Sequence, residues 1–424
     1  MLNINKQLDI ISENIEEIIP EKELLYKLEK SIKNNIPLNV KLGFDPSRPD
    51  LHIGHSVVLN KLQSIQDLGH NIILVVGDFT AMIGDPTGQN KTRPQLTLKE
   101  TKINADTYIN QVSKILNIKK TKIVYNSSWL NSINFNKVIE LCSKFTISQF
   151  LERDDFSKRY KSGKPISIHE FMYPLAQAYD SVYLRSDIEL GGTDQKFNLL
   201  LARDLQKYYN MSKQVAITMP ILEGTDGKDK MSKSYDNYIA FNDTPNDMYG
   251  KIMSINDDLV FKYFSLITHI TNKEVEDFKI LLKSNKIHPK DLKRKLAREI
   301  VSIYYDNDLS SRAETNFDKI FVNKGTPDIM PEYEIFNKMK LIDCISEADL
   351  ANSRGEAKRL IKQGGVKTVS ITLKDTYAGA IGLSFGTIGS TFSWLKDAGN
   401  QLLQGKPIGS GKMLGIMFID LIIP

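Results

Sequence analysis

Cysteine is almost missing from this 424-residue chain: Cys142 and Cys344 are its only two, in unrelated segments. No disulfide framework and no cysteine-built zinc cluster can be made from them, so a reducing cytoplasm is the expected setting. Long apolar runs are lacking too. The longest, Met413 to Pro424, is broken by Asp420 and falls short of the roughly 20 residues that cross a bilayer. The opening MLNINKQLDIISENIEEIIP mixes apolar and acidic residues at helical spacing. It has neither the basic start nor the unbroken apolar core of a secretion signal. Neither sign of charge dominates: 56 Lys and Arg against 51 Asp and Glu leave a formal +5, which permits a polyanionic partner without demanding one. What is present, 41% apolar and 25% charged residues, is ordinary for a globular chain of two to four domains. Secreted, integral-membrane, collagen-like and disordered readings are excluded on composition.

The first half reads as α/β. Leu38 to Phe44 places Val40, Leu42 and Phe44 on one face of a strand, and the turn Asp45-Pro46-Ser47-Arg48-Pro49-Asp50 stops it. A helix opening near His52 carries Val58, Leu62 and Ile65 at i, i+4 and i+7 and ends at Gly69. Ile72 to Val76 is an unbroken apolar run, as a parallel strand covered on both faces requires. This is a strand–helix–strand unit. Further on, the pattern predicts a helix from Tyr173 to Leu184 entered through Pro174, a strand at Ile188 to Leu190, and a helix from Phe197 to Tyr208. Strand signals fade beyond about Thr244. Pro289 to Tyr305 reads as a basic helix with Leu292, Leu296, Ile300 and Ile303 as its apolar stripe. Gly325 to Pro331 is the best linker. A compact unit from Leu341 to about Thr376 holds a capped helix, Ser353 to Lys362, with a basic face. The tail differs in composition, with nine of the 25 glycines and only seven charged residues in 371–424.

Two short motifs carry chemistry. His52-Ile53-Gly54-His55 sits where a strand hands over to a helix. A helix N-terminus offers free N–H groups and partial positive charge to a phosphate. Gly54 lets a flat base approach the backbone, and two imidazoles a turn apart can donate to a phosphate as its charge grows. A pair of surface or helix-capping histidines would look the same. Lys230-Met231-Ser232-Lys233-Ser234 follows the Gly/Asp-rich loop Gly224-Thr225-Asp226-Gly227-Lys228-Asp229. Its lysines suit a mobile clamp on a leaving polyphosphate, or else a solvated basic loop. Both motifs in order on an α/β chain are far more specific than either alone.

In that order the motifs resemble the HIGH and KMSKS signatures of class I aminoacyl-tRNA synthetases. The strings KLGFDPSRPDLHIGH, FTAMIGDPTG, AQAYDSVYL, ELGGTDQKFNLL and DKMSKSYDNYI are similar to those of the bacterial tyrosyl-tRNA synthetases, with the resemblance covering roughly residues 1–375. It implies a Rossmann-like parallel-sheet catalytic domain, then an α-helical domain and a small α+β S4-like module. The expected boundaries are an N-terminal helical segment at 1–35, the catalytic domain at 36–245, an anticodon-side helical domain at 246–330, the S4-like module at 331–376 and an atypical Gly-rich tail at 377–424. It also implies that L-tyrosine is activated with ATP to tyrosyl-adenylate and pyrophosphate, and that the tyrosyl group passes to the terminal adenosine of tRNA(Tyr). Mg2+ would arrive with ATP, no dedicated metal site being evident.

Residue by residue, the resemblance assigns His52 and His55 to the ATP α-phosphate with Ser47 helping, and Lys230 and Lys233 to the pyrophosphate, within the ATP-binding set Gly54, Met231, Ser232 and Ser234. Gly191, Gly192 and Asp194 would bind the ribose. Asp85, Tyr173 and Gln177 would surround the tyrosine ammonium, Gln195 its carboxylate, and Asp180 its phenol, with Gly43 and Asp45 lining the same cavity. Singly, each has a bland reading as packing, turn or surface residue. One position departs from many members: a second tyrosine that reaches the substrate phenol is replaced by Lys41. On the RNA side the resemblance points to Lys290, Lys293, Arg294, Lys295 and Arg298, which could equally be a solvated helix face, and to Arg354, Lys358, Arg359 and Lys362 of the S4-like helix. Members are homodimers. The tail does not match, and the expectation is that the S4-like module's last strands are degraded. Two alternatives stay open at this point: the tryptophan-specific relative, and a non-catalytic RNA-binding protein on the same fold.

Overall fold

A computed structural model of the chain describes residues 2–46, 50–86, 98–323, 334–335, 340–348, 350–351, 353–362, 372–374 and 413–415. Two units divide it, Met1–Glu314 and Thr315–Pro424.

The first unit is built on a six-stranded sheet: β1 (Glu17–Ile19), β2 (Asn39–Phe44), β3 (Asn71–Val76), β4 (Thr121–Tyr125), β5 (Ile188–Gly192) and β6 (Val215–Met219). Their order across the sheet is β1-β6-β5-β2-β3-β4. All neighbours run parallel except the edge strand β1, which is antiparallel to β6. The buried runs Ile72 to Val76 and Val215 to Met219 show why: strands covered on both faces need apolar side chains at every position. From β2 the chain winds outward through β3 and β4, then returns to β5 on the other side of β2. The strand order therefore reverses between β2 and β5. That reversal leaves a crevice at the carboxyl ends of these two strands.

Most expected elements are present. The helix after the first strand spans Ile53–Asp67, and those after the later strand signals span Lys196–Tyr208 and Pro289–Tyr304. In the last of these, Leu292, Leu296 and Ile300 of the expected stripe are buried, whereas Ile303 is half-buried and Tyr304 is buried beside it. One boundary is corrected. The helix expected to enter through Pro174 runs from Ile168 to Leu184, with Pro174 inside it. Its true start is capped by Ser167, whose amide donates to Glu170 Oε1 at 2.8 Å. Burial of Tyr173, Leu175, Ala176, Ala178 and Asp180 along this helix outweighs the one amide donor the proline lacks. Strands β1, β4 and β6 have no counterpart among the sequence expectations.

The second unit contains helices Leu341–Glu347 and Arg354–Lys362 and a three-stranded antiparallel sheet of β7 (Glu334–Ile335), β8 (Thr372–Lys374) and β9 (Met413–Gly415). The order is β7-β9-β8, so a strand from the Gly-rich tail lies between the other two. The linker expected at 325–331 lies outside the described residues, as does the rest of the tail.

Candidate active site

A cavity of about 280 Å³ opens where β2 and β5 end. β2 delivers Gly43 and, just beyond it, Asp45. β5 delivers Gly191 and Gly192 and runs directly into a short helical turn, Thr193–Gln195. A Cβ on Gly192 would lie 2.7 Å from Asp194 Oδ1, so a side chain there would push the Asp194 carboxylate aside. The Ile168–Leu184 helix presents Tyr173, Gln177 and Asp180 at spacings of four and three, one face of a helix. All seven residues expected around tyrosine, namely Gly43, Asp45, Asp85, Tyr173, Gln177, Asp180 and Gln195, line this one cavity, with His55 beside them.

Asp180 is buried and already oriented. Trp129 Nε1 donates to its Oδ1 at 2.8 Å and Asn126 Nδ2 to its Oδ2 at 3.3 Å. Burial pushes its carboxyl up to about 7, against the pull of Lys41, Trp129 and Asn126 toward the ionised form. Burial likewise holds the Tyr173 hydroxyl well above its usual value, reinforced by the carboxylates of Asp45 and Asp85. It is a neutral donor. Thr80 Oγ1 donates to Asp45 Oδ1 at 2.7 Å, and Gln195 Nε2 to Asp85 Oδ2 at 2.9 Å.

Lys41 does not face solvent. Register sets Lys41 opposite Glu189 across the β2–β5 ladder, and their side chains meet at 2.9 Å with exposures of 1% and 0%. The ammonium also donates to Ser181 Oγ at 2.6 Å and to the Gln177 carbonyl at 3.3 Å. An ammonium has three N–H donors. With Glu189, Ser181 and Gln177 as partners, all three are engaged within the protein. Lys41 thus acts on the cavity as a buried charge rather than as a phenol contact. Lys41→Met, which strands Glu189, is expected to cost about 3–5 kcal/mol in denaturant unfolding. The double variant Lys41→Met/Glu189→Gln is expected to recover most of that loss.

The two signature motifs meet. Ile53 N donates to Ile239 O at 2.9 Å and Phe241 N to Leu51 O at 3.0 Å, stitching the start of the Ile53–Asp67 helix to the segment after the lysine motif. Met231 is buried, and its Cβ lies 3.5 Å from the position a Cβ on Gly54 would take. A Cβ on Gly54 would press on the His52 ring, 3.0 Å from its Nδ1, so glycine there lets the imidazole lie where it does. The His52 and His55 rings lie tilted against each other with centroids 3.9 Å apart, and the His52 amide donates to His55 Nδ1 at 3.1 Å. Burial, then the nearby Lys233 and Lys230, holds the His55 imidazole down to about 4. Burial first, with His55 and the two lysines adding to it, keeps His52 well below its usual value as well. Both rings are neutral at pH 7. Lys230 Nζ lies 3.0 Å from Asp194 Oδ2 and Lys233 Nζ 3.2 Å from Asp50 Oδ2, so each signature lysine rests on a carboxylate. Ser232 N donates to Asn237 Oδ1 at 2.8 Å. Ser47 and the side chain of Ser234 lie outside the described residues.

The basic residues expected to meet RNA divide. Lys293 pairs with Asp257 at 2.6 Å and Arg294 with Glu314 at 2.9 Å, which occupies both within the helical region, as does the pairing of Arg298 with the same Glu314. Arg354, Lys358, Arg359 and Lys362 are exposed, although Arg354 also pairs with Asp343 at 2.9 Å. Sequence reasoning missed Asn126, Trp129, Glu189, Arg153 and Asn198. Only Asn198 carried a usable signal, lying one helical turn beyond Gln195.

A parallel sheet with its crevice at the strand-order reversal, two histidines at a helix start and two lysines folded beside them define a class I tRNA synthetase. The chain matches tRNA synthetases class I (W and Y) over residues 33–322 and belongs to that family. It is 52% identical over 361 residues to the tyrosine--tRNA ligase of Thermotoga maritima, covering 85% of this chain and 89% of that one. It is 51% identical over 369 residues to that of Carboxydothermus hydrogenoformans, covering 86% and 90%. Among solved structures it is similar in fold to the tyrosyl-tRNA synthetase of Aeropyrum pernix, with a TM-score of 0.60 at 21% identity over 74% of this chain and 98% of that one. Its enzymatic activity is tyrosine–tRNA ligation. The tryptophan and non-catalytic alternatives are set aside.

Proposed function

We propose that tyrosine enters the cavity with its phenol on Asp180, its ammonium among Asp85, Tyr173 and Gln177, and its carboxylate toward Gln195. Convergence of all seven expected residues on one cavity carries this reading. ATP lies across Gly54, Gly191 and Gly192, its ribose on Asp194 and its phosphates toward His52, His55 and the Lys230 to Ser234 loop, with Ser47 at the polyphosphate. A tyrosine carboxylate oxygen attacks the α-phosphorus and the bond to pyrophosphate breaks, the electron pair leaving with pyrophosphate. The terminal ribose hydroxyl of tRNA(Tyr) then attacks the tyrosyl carbonyl, releasing AMP. No side chain becomes covalently attached. Catalysis comes from positioning and from donors placed where charge develops.

Mg2+ enters as the companion of the ATP phosphates. Among the described residues no group of three or more His, Cys, Asp or Glu side chains is gathered to hold a metal. The 246–330 helices and the S4-like module at 331–376 each serve tRNA binding, with the exposed Arg354, Lys358, Arg359 and Lys362 favoured as phosphate contacts over the ion-paired Lys293 and Arg294. A homodimer is the assembly the family resemblance suggests. A cytoplasmic setting fits the scarcity of cysteine, and no helix among the described residues is long and apolar enough to cross a membrane.

Amino-acid-dependent ATP–pyrophosphate exchange tests the site. Exchange with tyrosine, and not with tryptophan or phenylalanine, is expected. Exchange with phenylalanine equal to that with tyrosine would remove Asp180 from the phenol.

A further inference from the structure

Asn237 has no role in the reading above, yet the lysine motif is built around it. Asp226, Lys228, Asp229 and Lys230 are exposed, whereas Asn237 is buried at 2% exposure. A buried carboxamide is costly unless its donors and its acceptor are used, and here both ends are. Asn237 Oδ1 accepts from the Ser232 amide at 2.8 Å. Its Nδ2 donates to Asp226 Oδ2 at 2.8 Å, to the Lys230 carbonyl at 3.2 Å and to the Asp229 carbonyl at 3.3 Å. A Cβ on Gly224 would overlap the same carboxamide, so glycine at that position leaves the amide its space.

The backbone around Asn237 is anchored on the other side. Its carbonyl accepts from the Thr225 amide at 2.9 Å. Two residues on, the Ile239 carbonyl accepts from Ile53 at the start of the Ile53–Asp67 helix, and Ala240 pairs with His52 in an isolated bridge. Asn237 thus stands between the two signature motifs and grips the second at Lys230 and at Ser232, on either side of Met231. Another bridge, Glu223 with Lys230, joins the arms of the loop to each other, whereas Asn237 joins the loop to the segment stitched to the histidines. The task suits a carboxamide. One planar group accepts from a backbone N–H and donates to a carboxylate and to carbonyls at once.

We infer that Asn237 is a positioning residue for adenylate formation, its carboxamide holding the backbone that carries Lys230 and Lys233 in place beside the histidine motif. The inference rests on the assignment of those lysines to the pyrophosphate. A packing role alone would lower stability and would owe nothing to the lysines.

The experiment is a double-mutant cycle on the full chain, read by rapid-quench measurement of adenylate formation at saturating tyrosine and ATP. Asn237→Ala is expected to slow that step about 10- to 100-fold, the worth of a hydrogen bond to a charged partner, with tyrosine affinity within twofold of native. In the background Lys230→Ala/Lys233→Ala the same change is expected to slow it by less than threefold further, because groups that act as one unit do not add. Asn237→Asp keeps the shape and an acceptor for Ser232 but loses both N–H donors, so it is expected to slow the step as much as alanine does. Either variant within threefold of native, or an equal loss with and without the lysines, overturns the inference. A lysine double variant that forms adenylate as fast as the native enzyme overturns the assignment of the lysines, and the inference falls with it. Should Asn237→Ala fail to bind tyrosine, Asn237→Asp is carried through the cycle in its place against the same outcomes.

Discussion

Asp180→Asn is expected to lower kcat/KM for tyrosine in pyrophosphate exchange by roughly 10- to 100-fold, the worth of a hydrogen bond to a charged partner, while phenylalanine changes much less. The native carboxylate accepts from Trp129 and Asn126, one on each oxygen, and keeps lone pairs for the substrate phenol. Asparagine has one oxygen, so its amide would face one of those two donors and part of the pocket would lose its acceptor. On the proposed placement, phenylalanine leaves without a donor the carboxylate lone pairs that the tyrosine phenol would use, and that asymmetry would distinguish the two substrates. A site built to pair a substrate hydroxyl rejects the analogue that lacks it, because the buried group is left without its partner.

The same group makes two pH dependences. Its carboxyl titrates near 7 in the folded protein, against about 3.9 in an unfolded chain. Between those values the folded state binds a proton that the unfolded state has released, so this contribution to stability is present at low pH and is lost as pH rises through about 7. Activity runs the other way, because phenol binding uses the ionised form: kcat/KM for tyrosine is expected to rise as pH increases through about 7. Urea unfolding of the native and Asp180→Asn proteins from pH 4 to 8 measures the first effect. The native protein should show the extra loss of stability and the variant should not.

His55→Ala is expected to slow adenylate formation by about 10²- to 10³-fold, the typical loss for one donor at a developing oxyanion. Tyrosine affinity should change by less than about threefold, since the tyrosine residues come from other segments. A rapid-quench measurement of the activation step together with equilibrium tyrosine binding separates the two. Equal losses in both would place His55 at the amino acid rather than the phosphate. Its linkage has the opposite sign to that of Asp180. The folded imidazole resists protonation down to about 4, whereas an unfolded one protonates near 6.5. The unfolded state therefore binds more protons between those values. Stability from this group is present above about 6.5 and is lost as pH falls toward 4. His55→Ala should lose that part of the pH slope.

Much of this was legible in the chain before folding. Unbroken apolar runs and helical stripes are local patterns, so β3, the Ile53–Asp67 helix and the Pro289–Tyr304 helix fell where periodicity places them. Pro174 misled because a local rule about proline met a helix whose burial and capping outweigh it. The exposed basic face of Arg354–Lys362 follows from spacing alone, but spacing could not say that Lys293 and Arg294 would be occupied by Asp257 and Glu314.

By itself the sequence determined the class, through two motifs whose residue types and order few other chemistries use, and it named the residues of the cavity through their resemblance to a family. Tertiary structure alone decided how those residues behave. Lys41 and Ser181 stand 140 positions apart in the chain, and only the strand order that sets β2 beside β5 makes Lys41 a sealed partner of Glu189 instead of a surface charge. Whether Asp180 titrates near 4 or near 7, and which way the amide of Gln177 faces, depends on what surrounds each group after collapse. Desolvation and hydrogen-bond direction are properties of a neighbourhood, and in this protein the neighbours come from segments that no local pattern links.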